Sequence, residues 1–221
     1  MVPNFRNSMS ADQRYRFGTY YAGTENENAL KLLRGLVVKN GAQGVFVVGQ
    51  SACGKTHLLY AIEHEIHDTY PDQQTLFLKI DELRTLLVCA LQNNDMAGFW
   101  KYLLSFDLLM VDNTQFALGL EDILECLVRA YFQRGRRIVF AGDYILSKIG
   151  KLPLCVITLS LPSYSTRRQI TSAKAKEMKI PVSTASLERI AIKSKNVRQI
   201  EGALLQEKLF IHLSEQTLTI P

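Results

Sequence analysis

Eight consecutive residues constrain the fold of this chain more than any other part of its sequence: Gly49-Gln50-Ser51-Ala52-Cys53-Gly54-Lys55-Thr56. They fit the pattern G-x-x-x-x-G-K-[ST], in which glycines let backbone N–H groups turn inward around phosphates. The helix expected to begin near Lys55 presents its positive end to the same phosphates. Lys55 reaches the β- and γ-phosphates, and the Thr56 hydroxyl ligates Mg²⁺. The motif therefore predicts a strand, a phosphate-binding loop and a helix in succession.

A second candidate component is the apolar run Phe106–Val111, which is followed by Asp112 and Asn113. Asp112 is expected to hold Mg²⁺ through water at the end of a buried strand. Many ATPases of this architecture have a carboxylate at the position of Asn113, where it orients or deprotonates the attacking water. An amide cannot accept that proton. We therefore predict that the chain hydrolyses ATP slowly. Whether it acts as an enzyme at all stays open.

The fold class follows from short apolar runs that alternate with helical patterns. Runs without polar alternation are typical of strands that are covered on both faces, and strands alternating with helices predict a parallel sheet. The predicted strands are Val45–Val48, Leu76–Ile80, Phe106–Val111, Ile138–Ala141 and Val156–Leu159, and the predicted helices among them are Lys55–His67, Glu82–Leu91 and Glu121–Gln133.

Beyond Pro162 the strand pattern stops and three helical segments follow: Ser165–Lys179, Thr184–Lys193 and Asn196–Leu213. Ser183 or Thr184 can cap the second of these helices. The sequence thus predicts a tail over residues 1–14, a nucleotide-binding α/β domain over 15–162 and a small helical lid over 163–221. We expect a hinge near Ser160–Ser163, with the nucleotide between the two domains acting as a switch.

Composition excludes several classes of protein. Of the 221 residues, 47% are hydrophobic and 21% are charged, which is typical of a soluble protein. No apolar run is long enough to span a membrane, and the N-terminus is too polar for a secretory signal. The four cysteines are far apart in sequence, which favours neither disulfides nor a zinc site and indicates a cytoplasmic protein.

The charge is uneven, with 15 basic and 6 acidic residues from Arg134 to the C-terminus. Such a region could face the phosphates of a nucleotide or a nucleic acid, and it could equally be a solvated helix surface. His64 and His67, three residues apart, are predicted to be exposed helical positions rather than metal ligands. Cys53 is predicted to fill space in the phosphate loop rather than to act as a reactive thiolate.

Four stretches of sequence, taken in order, resemble the DnaA family of bacterial replication initiators. They are Phe17–Asn26, the phosphate loop with its continuation to Ile62, Ala90–Asn94 with the aromatic-rich helix and Asp112–Phe116 that follow, and Asn196–Leu204. The resemblance covers nearly the whole chain. It implies a P-loop AAA+ fold, with a parallel five-stranded sheet, flanking helices and a small α-helical lid. It also implies ATP or ADP with Mg²⁺.

The resemblance also implies roles for individual residues. Asp143 is the expected sensor after the fourth core strand, and Arg198 is the expected lid arginine that touches the phosphates. Tyr20 and Tyr21 belong to the segment that packs on adenine. The nucleotide-contacting loop residues are Gly49, Ser51, Ala52, Cys53, Gly54, Lys55, Thr56 and His57, and the expected catalytic set is Lys55, Asp112, Asn113, Asp143 and Arg198.

Departures from the family pattern are equally informative. The stretch from Asp143 to Leu159 contains no arginine, whereas the family carries one there that reaches into the neighbouring subunit's ATP. Cys89 and Leu118–Leu120 lack the basic residues expected for contact with single-stranded DNA. The sequence also ends where the family's helix-turn-helix domain begins, so we expect no sequence-specific binding of duplex DNA.

The resulting hypothesis is a DnaA-like regulator of replication initiation that contacts an initiator subunit or another replication protein. Since it can receive a neighbour's arginine but supplies none, it could cap one end of an initiator filament. Two alternatives stay open: the ATPase core of an initiator, shortened or excised, and a helicase loader, which the lid motif Asn196–Arg198 disfavours. Homo-oligomerisation and weak contact with nucleic acid also stay open.

Overall fold

The computed structural model describes residues 14–35 and 41–217 and contains a five-stranded parallel sheet. The strand order is β2-β3-β4-β1-β5. The parallel sheet with its flanking helices confirms the predicted fold class. The strands are β1 (Gly44–Gly49), β2 (Thr75–Lys79), β3 (Leu108–Asp112), β4 (Arg137–Gly142) and β5 (Cys155–Leu159).

Eight α-helices lie within the described residues. They are α1 (Gly23–Gly35), α2 (Lys55–Thr69), α3 (Ile80–Gln92), α4 (Met96–Leu103), α5 (Glu121–Gln133), α6 (Tyr164–Glu177), α7 (Thr184–Lys193) and α8 (Val197–Thr217). The sequence predicts α5 and α7 with these bounds and α2, α3, α6 and α8 within a few residues. Helix α1 is not predicted from the pattern of apolar residues.

Strand register brings the carboxyl ends of three strands to one edge of the sheet. β1 lies between β4 and β5, with Val48 opposite Gly142, and β3 lies on the other side of β4. In open parallel sheets, the loops at this edge form the binding crevice. The loops after β1, β3 and β4 carry the phosphate motif, Asn113 and Asp143, so the topology gathers most of the predicted site residues.

The main core consists of the two faces of this sheet and the helices on them, with Phe46, Phe140 and Tyr131 among its largest fully buried side chains. Strand β5 departs from the prediction that each strand is covered on both faces. Its residues Cys155, Val156 and Thr158 are exposed and only Ile157 and Leu159 are buried, whereas β2, at the other edge of the sheet, is largely buried.

The described residues divide into two compact units. One contains residues 14–20, 28–35 and 41–159, and the other contains residues 21–27 and 160–217. The predicted domain bounds, with a break at residue 162, stay a prediction, and nearly all of the predicted tail (1–14) lies outside the described residues.

In the second unit, α6, α7 and α8 pack around a small apolar core that includes Ile170, Ile190 and Leu204. The predicted cap of α7 is confirmed, because the Ser183 side chain accepts a hydrogen bond from the backbone N–H of Ser186. Within the part of the chain described, no helix combines the length and the apolarity that a membrane crossing needs.

Candidate phosphate-binding site

The loop between β1 and α2 has a backbone that only certain residues can adopt. Ala52 and Gly54 have positive φ angles of 64° and 104°. A side chain at Gly54 would also collide with the ring of Tyr20, and one at Gly49 would lie 2.5 Å from the Leu159 carbonyl oxygen. Both glycines of the motif are therefore required by the packing around the loop.

Lys55 lies at the centre of this loop and is 7% exposed. Its ammonium donates hydrogen bonds to the carbonyl oxygens of Gly49 (2.6 Å) and Gln50 (3.1 Å). It also forms an ion pair with Asp143 Oδ1 at 2.8 Å. This contact depends on strand order, since Asp143 directly follows β4 and β4 pairs with β1. The structure thus brings the predicted sensor residue to the phosphate loop.

A second pair of side chains meets beside the start of α2. Thr56 Oγ1 donates to Asp112 Oδ2 at 2.5 Å, and the backbone N–H of Asn113 donates to Asp112 Oδ1 at 2.8 Å. Asp112 is 1% exposed. Its burial raises the pKa of the carboxyl, and the hydrogen bonds from Thr56 and Asn113 counteract that shift. A hydroxyl and a carboxylate at this separation are suitable oxygen donors for Mg²⁺.

Asn113 begins the turn that leaves β3, and its backbone is left-handed, with φ of 61°. Asparagine adopts this conformation more readily than most residues. The next residue, Thr114, is buried and donates to the Ala141 carbonyl oxygen at 3.0 Å, which fixes the turn against β4. The Asn113 amide consequently lies next to Asp112 on a turn that is anchored by the neighbouring strand.

Sequence reasoning assigned no role to Gln115, which connects the turn after β3 to the segment after β4. Its side-chain oxygen accepts a hydrogen bond from the backbone N–H of Asp143 at 3.3 Å, and its carbonyl accepts one from the Tyr144 hydroxyl at 3.0 Å. The turn after β3 thereby positions Asp143. The available signal was a polar side chain two residues after Asn113, but such a residue in a loop is too common to single out.

Tyr20 and His57 connect the segment before α1 to the phosphate loop. The Tyr20 hydroxyl donates to the Cys53 carbonyl oxygen at 3.1 Å, and its ring packs edge-on against that of His57 at 5.4 Å. Nε2 of His57 lies 3.0 Å from the Arg16 carbonyl oxygen. Tyr20 therefore lies over the loop, where the resemblance placed an adenine-contacting residue.

Two predicted site residues belong to the second unit. Tyr21 lies two residues before α1, and Arg198 is in the first turn of α8, where it is exposed. Their roles toward a nucleotide stay predictions. In the first unit, Ser51 lies in the loop, and Cys53 is buried there. Burial raises the pKa of the Cys53 thiol, which fits a space-filling residue.

The prediction of exposed histidines is wrong for His64, which is buried, whereas His67 is exposed. The reason is that α2 buries more than one side: besides Leu58, Ile62 and Ile66 on one face, it buries Leu59, Ala61 and His64 on others.

Three arginines near the start of β4 account for part of the basic C-terminal region. Arg134 and Arg136 donate to main-chain carbonyls, of Ala130 and of Leu104 and Phe106 respectively. Arg137 is buried and bonds to the Gln73 side chain. These residues lie at the amino end of β4, at the sheet edge opposite the phosphate loop, so they serve the structure of that edge.

Comparison with known proteins agrees with this geometry. The family model described as the bacterial DnaA ATPase domain matches residues 11–157. The chromosomal replication initiator protein DnaA of Synechocystis sp. is 26% identical, with 97% of this chain and 52% of the relative covered. That of Microcystis aeruginosa is 25% identical, with 94% and 50% covered. The chain thus spans about half the length of the curated relatives it matches.

Solved structures share the fold. Domain III of the Thermotoga maritima replication initiation protein DnaA superposes with a TM-score of 0.80 at 21% identity, covering 95% of this chain and 93% of that chain. A replication initiator DnaA bound to AMPPCP and single-stranded DNA gives 0.79 at 20% identity, with 93% and 69% covered. The DnaC helicase loader gives 0.56 at 17% identity, with 66% and 97% covered.

Proposed function

We propose, for a chain that belongs to the bacterial DnaA ATPase domain family, that it is an ATP- or ADP-binding regulator of chromosomal replication initiation. In this proposal, it acts by nucleotide-dependent contact with an initiator subunit and hydrolyses ATP slowly. The observation that carries the proposal is the cluster of Lys55, Thr56, Asp112 and Asp143 at the carboxyl edge of the sheet.

Each member of this cluster has a distinct task. Lys55 is bonded to Asp143 and to two loop carbonyls. When nucleotide binds, oxygens of the β- and γ-phosphates would replace some of these partners. Backbone N–H groups of the loop and the amino end of α2 would bind the same phosphates. Thr56 and Asp112 would hold Mg²⁺, which would neutralise the phosphate charge. Asp143 orients Lys55, and Gln115 orients Asp143.

Asn113 favours a role for bound ATP as a regulatory signal rather than as a source of energy. Its amide can donate a hydrogen bond to a water molecule near the γ-phosphate but cannot remove a proton from it. General base catalysis contributes about 10²–10⁴-fold to rate in enzymes that use it. Without that contribution, bound ATP persists long enough to report the nucleotide state to a partner.

Arg198 and Tyr21, in the second unit, are proposed to contact the phosphates and the adenine respectively. This assignment rests on their positions in the family motifs Asn196–Leu204 and Phe17–Asn26. Cytoplasmic action is part of the same proposal, since it follows from the role in replication.

The absence of the family's arginine between Asp143 and Leu159 makes the proposed contact with an initiator subunit asymmetric. The segment Asp143–Leu159 contains no arginine. Arg134, Arg136 and Arg137 are engaged at the opposite sheet edge, so none of them substitutes for it. An initiator subunit could insert its arginine into the site of this chain, but this chain offers none in return. It would then cap one end of an initiator filament.

The test is ATP turnover by the full-length initiator of the same organism, with and without this chain. We expect turnover to be unchanged or to fall, because no arginine is supplied in trans. The Lys55→Ala variant, which lacks the phosphate contact, should have no effect. A rise in initiator turnover that requires Lys55 would contradict the proposal, since it would show that this chain promotes hydrolysis.

A second candidate is the ATPase core of an initiator, and the relatives favour it. Each relative named above is a replication initiator, and the chain spans about half its length. Transcript sequencing across the codon for Pro221 separates the two: a reading frame that continues into a DNA-binding domain supports the initiator core. Likeness to the DnaC loader is weaker, and the lid motif Asn196–Arg198 again disfavours that function.

A further inference from the structure

The segment of residues 15–20 contacts a single side chain at the start of α2, the imidazole of His57. The ring of Tyr15 packs edge-on against that of His57 with centroids 5.2 Å apart, and the ring of Tyr20 does so at 5.4 Å. Aromatic rings at such distances prefer an edge-to-face arrangement, so both contacts are favourable. Because His57 directly follows Thr56, the segment is attached to α2 next to the phosphate loop.

Hydrogen bonds of the imidazole hold the backbone of this segment. His57 Nε2 lies 3.0 Å from the Arg16 carbonyl oxygen and 3.3 Å from Thr19 Oγ1. A carbonyl oxygen can only accept, so Nε2 carries the proton and donates to Arg16. The Thr19 hydroxyl donates to the Arg14 carbonyl oxygen at 2.6 Å, which fixes the chain on the amino side of Tyr20. The imidazole therefore sets where the segment lies on α2.

A stack of aromatic rings connects the same segment to the sheet. Tyr15 stacks on Tyr60 with centroids 5.1 Å apart, and Tyr60 stacks on Phe77, a buried residue of β2, at 4.9 Å. Arg16 also forms an ion pair with Asp68, but both side chains are partly exposed and such pairs add little. The segment is thus anchored to both α2 and β2, chiefly by ring contacts.

Tyr20 connects this anchored segment to the phosphate loop. Its hydroxyl donates to the Cys53 carbonyl oxygen at 3.1 Å, and a Cβ at Gly54 would lie 2.5 Å from Cε2 of its ring. The hydroxyl and the ring therefore contact the two residues that share one peptide group. A trans peptide is planar, and its N–H points opposite to its C=O. The Gly54 N–H consequently points away from the Tyr20 hydroxyl.

The direction of the Gly54 N–H matters for phosphate binding. Gly54 is the N-cap of α2, and the first N–H groups of a helix have no partner within it. In this motif such groups bind phosphate oxygens. The neighbouring Cys53 N–H is already used within the loop, since it donates to the Gln50 carbonyl oxygen at 3.2 Å. Because a glycine allows its peptide group to rotate easily, the orientation at Gly54 has to be held by a contact from outside the loop.

We propose that Tyr20 is a positioning residue that holds the peptide group between Cys53 and Gly54 in its phosphate-binding orientation, and that His57 acts through Tyr20 by fixing the segment of residues 15–20. This inference rests on the proposed function, since it concerns the same nucleotide site. It assigns the Tyr20 hydroxyl a task toward the phosphates, whereas the family resemblance implies a contact with adenine.

Competition against a fluorescent ATP analogue in the presence of Mg²⁺ tests the role of Tyr20. Tyr20→Phe removes only the hydroxyl. We expect it to weaken the binding of ATP and of tripolyphosphate, which has no base, by the same factor of about 3–10. Tyr164→Phe is the matched control, because it removes a hydroxyl that donates to Glu188 in the second unit, and it should weaken neither ligand. A loss confined to ATP, or no loss for either ligand, would overturn the proposal.

The amide resonance of Gly54 gives a readout that needs no ligand. In a proton–nitrogen correlation spectrum of the Tyr20→Phe chain, this resonance should shift, because the carbonyl of the same peptide group loses its hydrogen bond. An unchanged resonance would contradict the inference. A wild-type chain that binds neither ATP nor tripolyphosphate would instead refute the proposed function, and the Gly54 resonance would still decide whether Tyr20 holds the peptide group.

A double-mutant cycle tests whether His57 acts through Tyr20. His57→Ala should weaken ATP binding about 3-fold or more, and adding Tyr20→Phe to it should have little further effect, since the hydroxyl is no longer held on the loop. Fully additive losses would show that His57 acts by another route. His57→Gln keeps a side-chain N–H donor and should restore part of the affinity. Far-ultraviolet circular dichroism checks that each variant is folded.

Discussion

The Lys55 ammonium shows how single residues prepare this site. Three acceptors surround it, two of them carbonyls of the phosphate loop and the third the Asp143 carboxylate. A buried cation needs such partners, because an unpaired charge of this kind is costly. Phosphate oxygens can replace them without leaving the charge unsolvated, so the loop is already arranged for its ligand.

Asn113 gives the most direct prediction at the residue scale. Replacing it with aspartate keeps the size of the side chain and suits the left-handed backbone, while it adds a carboxylate that can accept a proton. We expect Asn113→Asp to raise single-turnover ATP hydrolysis by about 10-fold or more. Asn113→Ala is the control and should stay slow. If Asn113→Asp binds ATP normally but hydrolyses it no faster, the amide is not what limits the rate.

Asp112 links function to stability through pH. Burial raises the pKa of the Asp112 carboxyl above 3.8, because the charged form is disfavoured in the folded protein. With respect to this group the protein is therefore most stable below pH 3.8, where the carboxyl is protonated. That stability is lost as the pH rises through the folded-state pKa. Asp112→Asn removes the buried charge, so at pH 7 it should stabilise the first unit by about 1 kcal/mol. The same change should abolish the Mg²⁺ dependence of nucleotide binding.

Thermal unfolding followed by fluorescence measures this effect, since Trp100 is the only tryptophan and lies in α4 of the first unit. The stability difference between Asp112→Asn and the wild-type protein should shrink as the pH falls toward 4. Asp72→Asn, at an exposed turn, serves as the control. A variant that is less stable than the wild-type protein at pH 7 would show that the hydrogen bonds of Asp112 outweigh its burial.

At the scale of elements, a side-chain clamp holds the first turn of α1 to the start of the second unit's helices. The buried Asn26 amide donates to the Ser160 carbonyl oxygen at 2.9 Å and accepts from the Ser160 N–H at 2.8 Å. Glu25 Oε1 accepts from the Ser163 N–H at 2.8 Å. The predicted hinge segment Ser160–Ser163 is therefore fixed, at both of its ends, to residues of α1 in the same unit.

Removing this clamp should loosen the segment. Asn26→Ala removes both hydrogen bonds between the Asn26 side chain and the main chain of Ser160, which costs about 1–2 kcal/mol. We expect a lower melting temperature and faster hydrogen exchange of the Ser160 amide. Asn28→Ala, an exposed position on the same helix, should change neither quantity. Unaltered exchange in Asn26→Ala would mean that Ser160 is held by something other than this side chain.

The elements that sequence reasoning found are those with strong local patterns. The five strands are apolar runs, and α5 has regular apolar spacing, so their positions could be predicted. Helix α1 could not, because Ala29 and Leu33 are its only buried apolar residues, and two residues at helical spacing are too few to mark a helix. The exposure of β5 depends on whether other elements pack against it, which the spacing of its apolar residues does not reveal.

The site residues likewise differ in whether a local sequence pattern predicts them. The loop motif alone predicts Lys55 and Thr56, whereas Asp143 required the family resemblance. The ion pair between Lys55 and Asp143, and the bond from Asp143 to Gln115, depend on β4 lying beside β1 and β3. Contacts between residues 88 positions apart, as in that ion pair, are set by tertiary topology and leave no local trace in the sequence.

At the scale of the whole molecule, basic residues are concentrated in the region from Arg134 onward, where several of those described pair within the protein. Arg136 and Arg137 stabilise the amino edge of the sheet, and Lys174 pairs with Glu177 and Glu201 within the second unit. Much of the positive charge is thus used internally. The net charge of +5 is accordingly weak evidence for nucleic-acid binding.

Nucleotide binding and turnover by the chain itself test the central claim most directly. Calorimetric titration with ATP and Mg²⁺, followed by a single-turnover assay on the same sample, measures both. We predict saturable binding of one nucleotide per chain, slow hydrolysis, and affinity reduced by about 10–100-fold or more in Lys55→Ala, because a charged hydrogen-bond donor is lost. The absence of ATP and ADP binding, or equal affinity in a folded Lys55→Ala variant, would contradict the account.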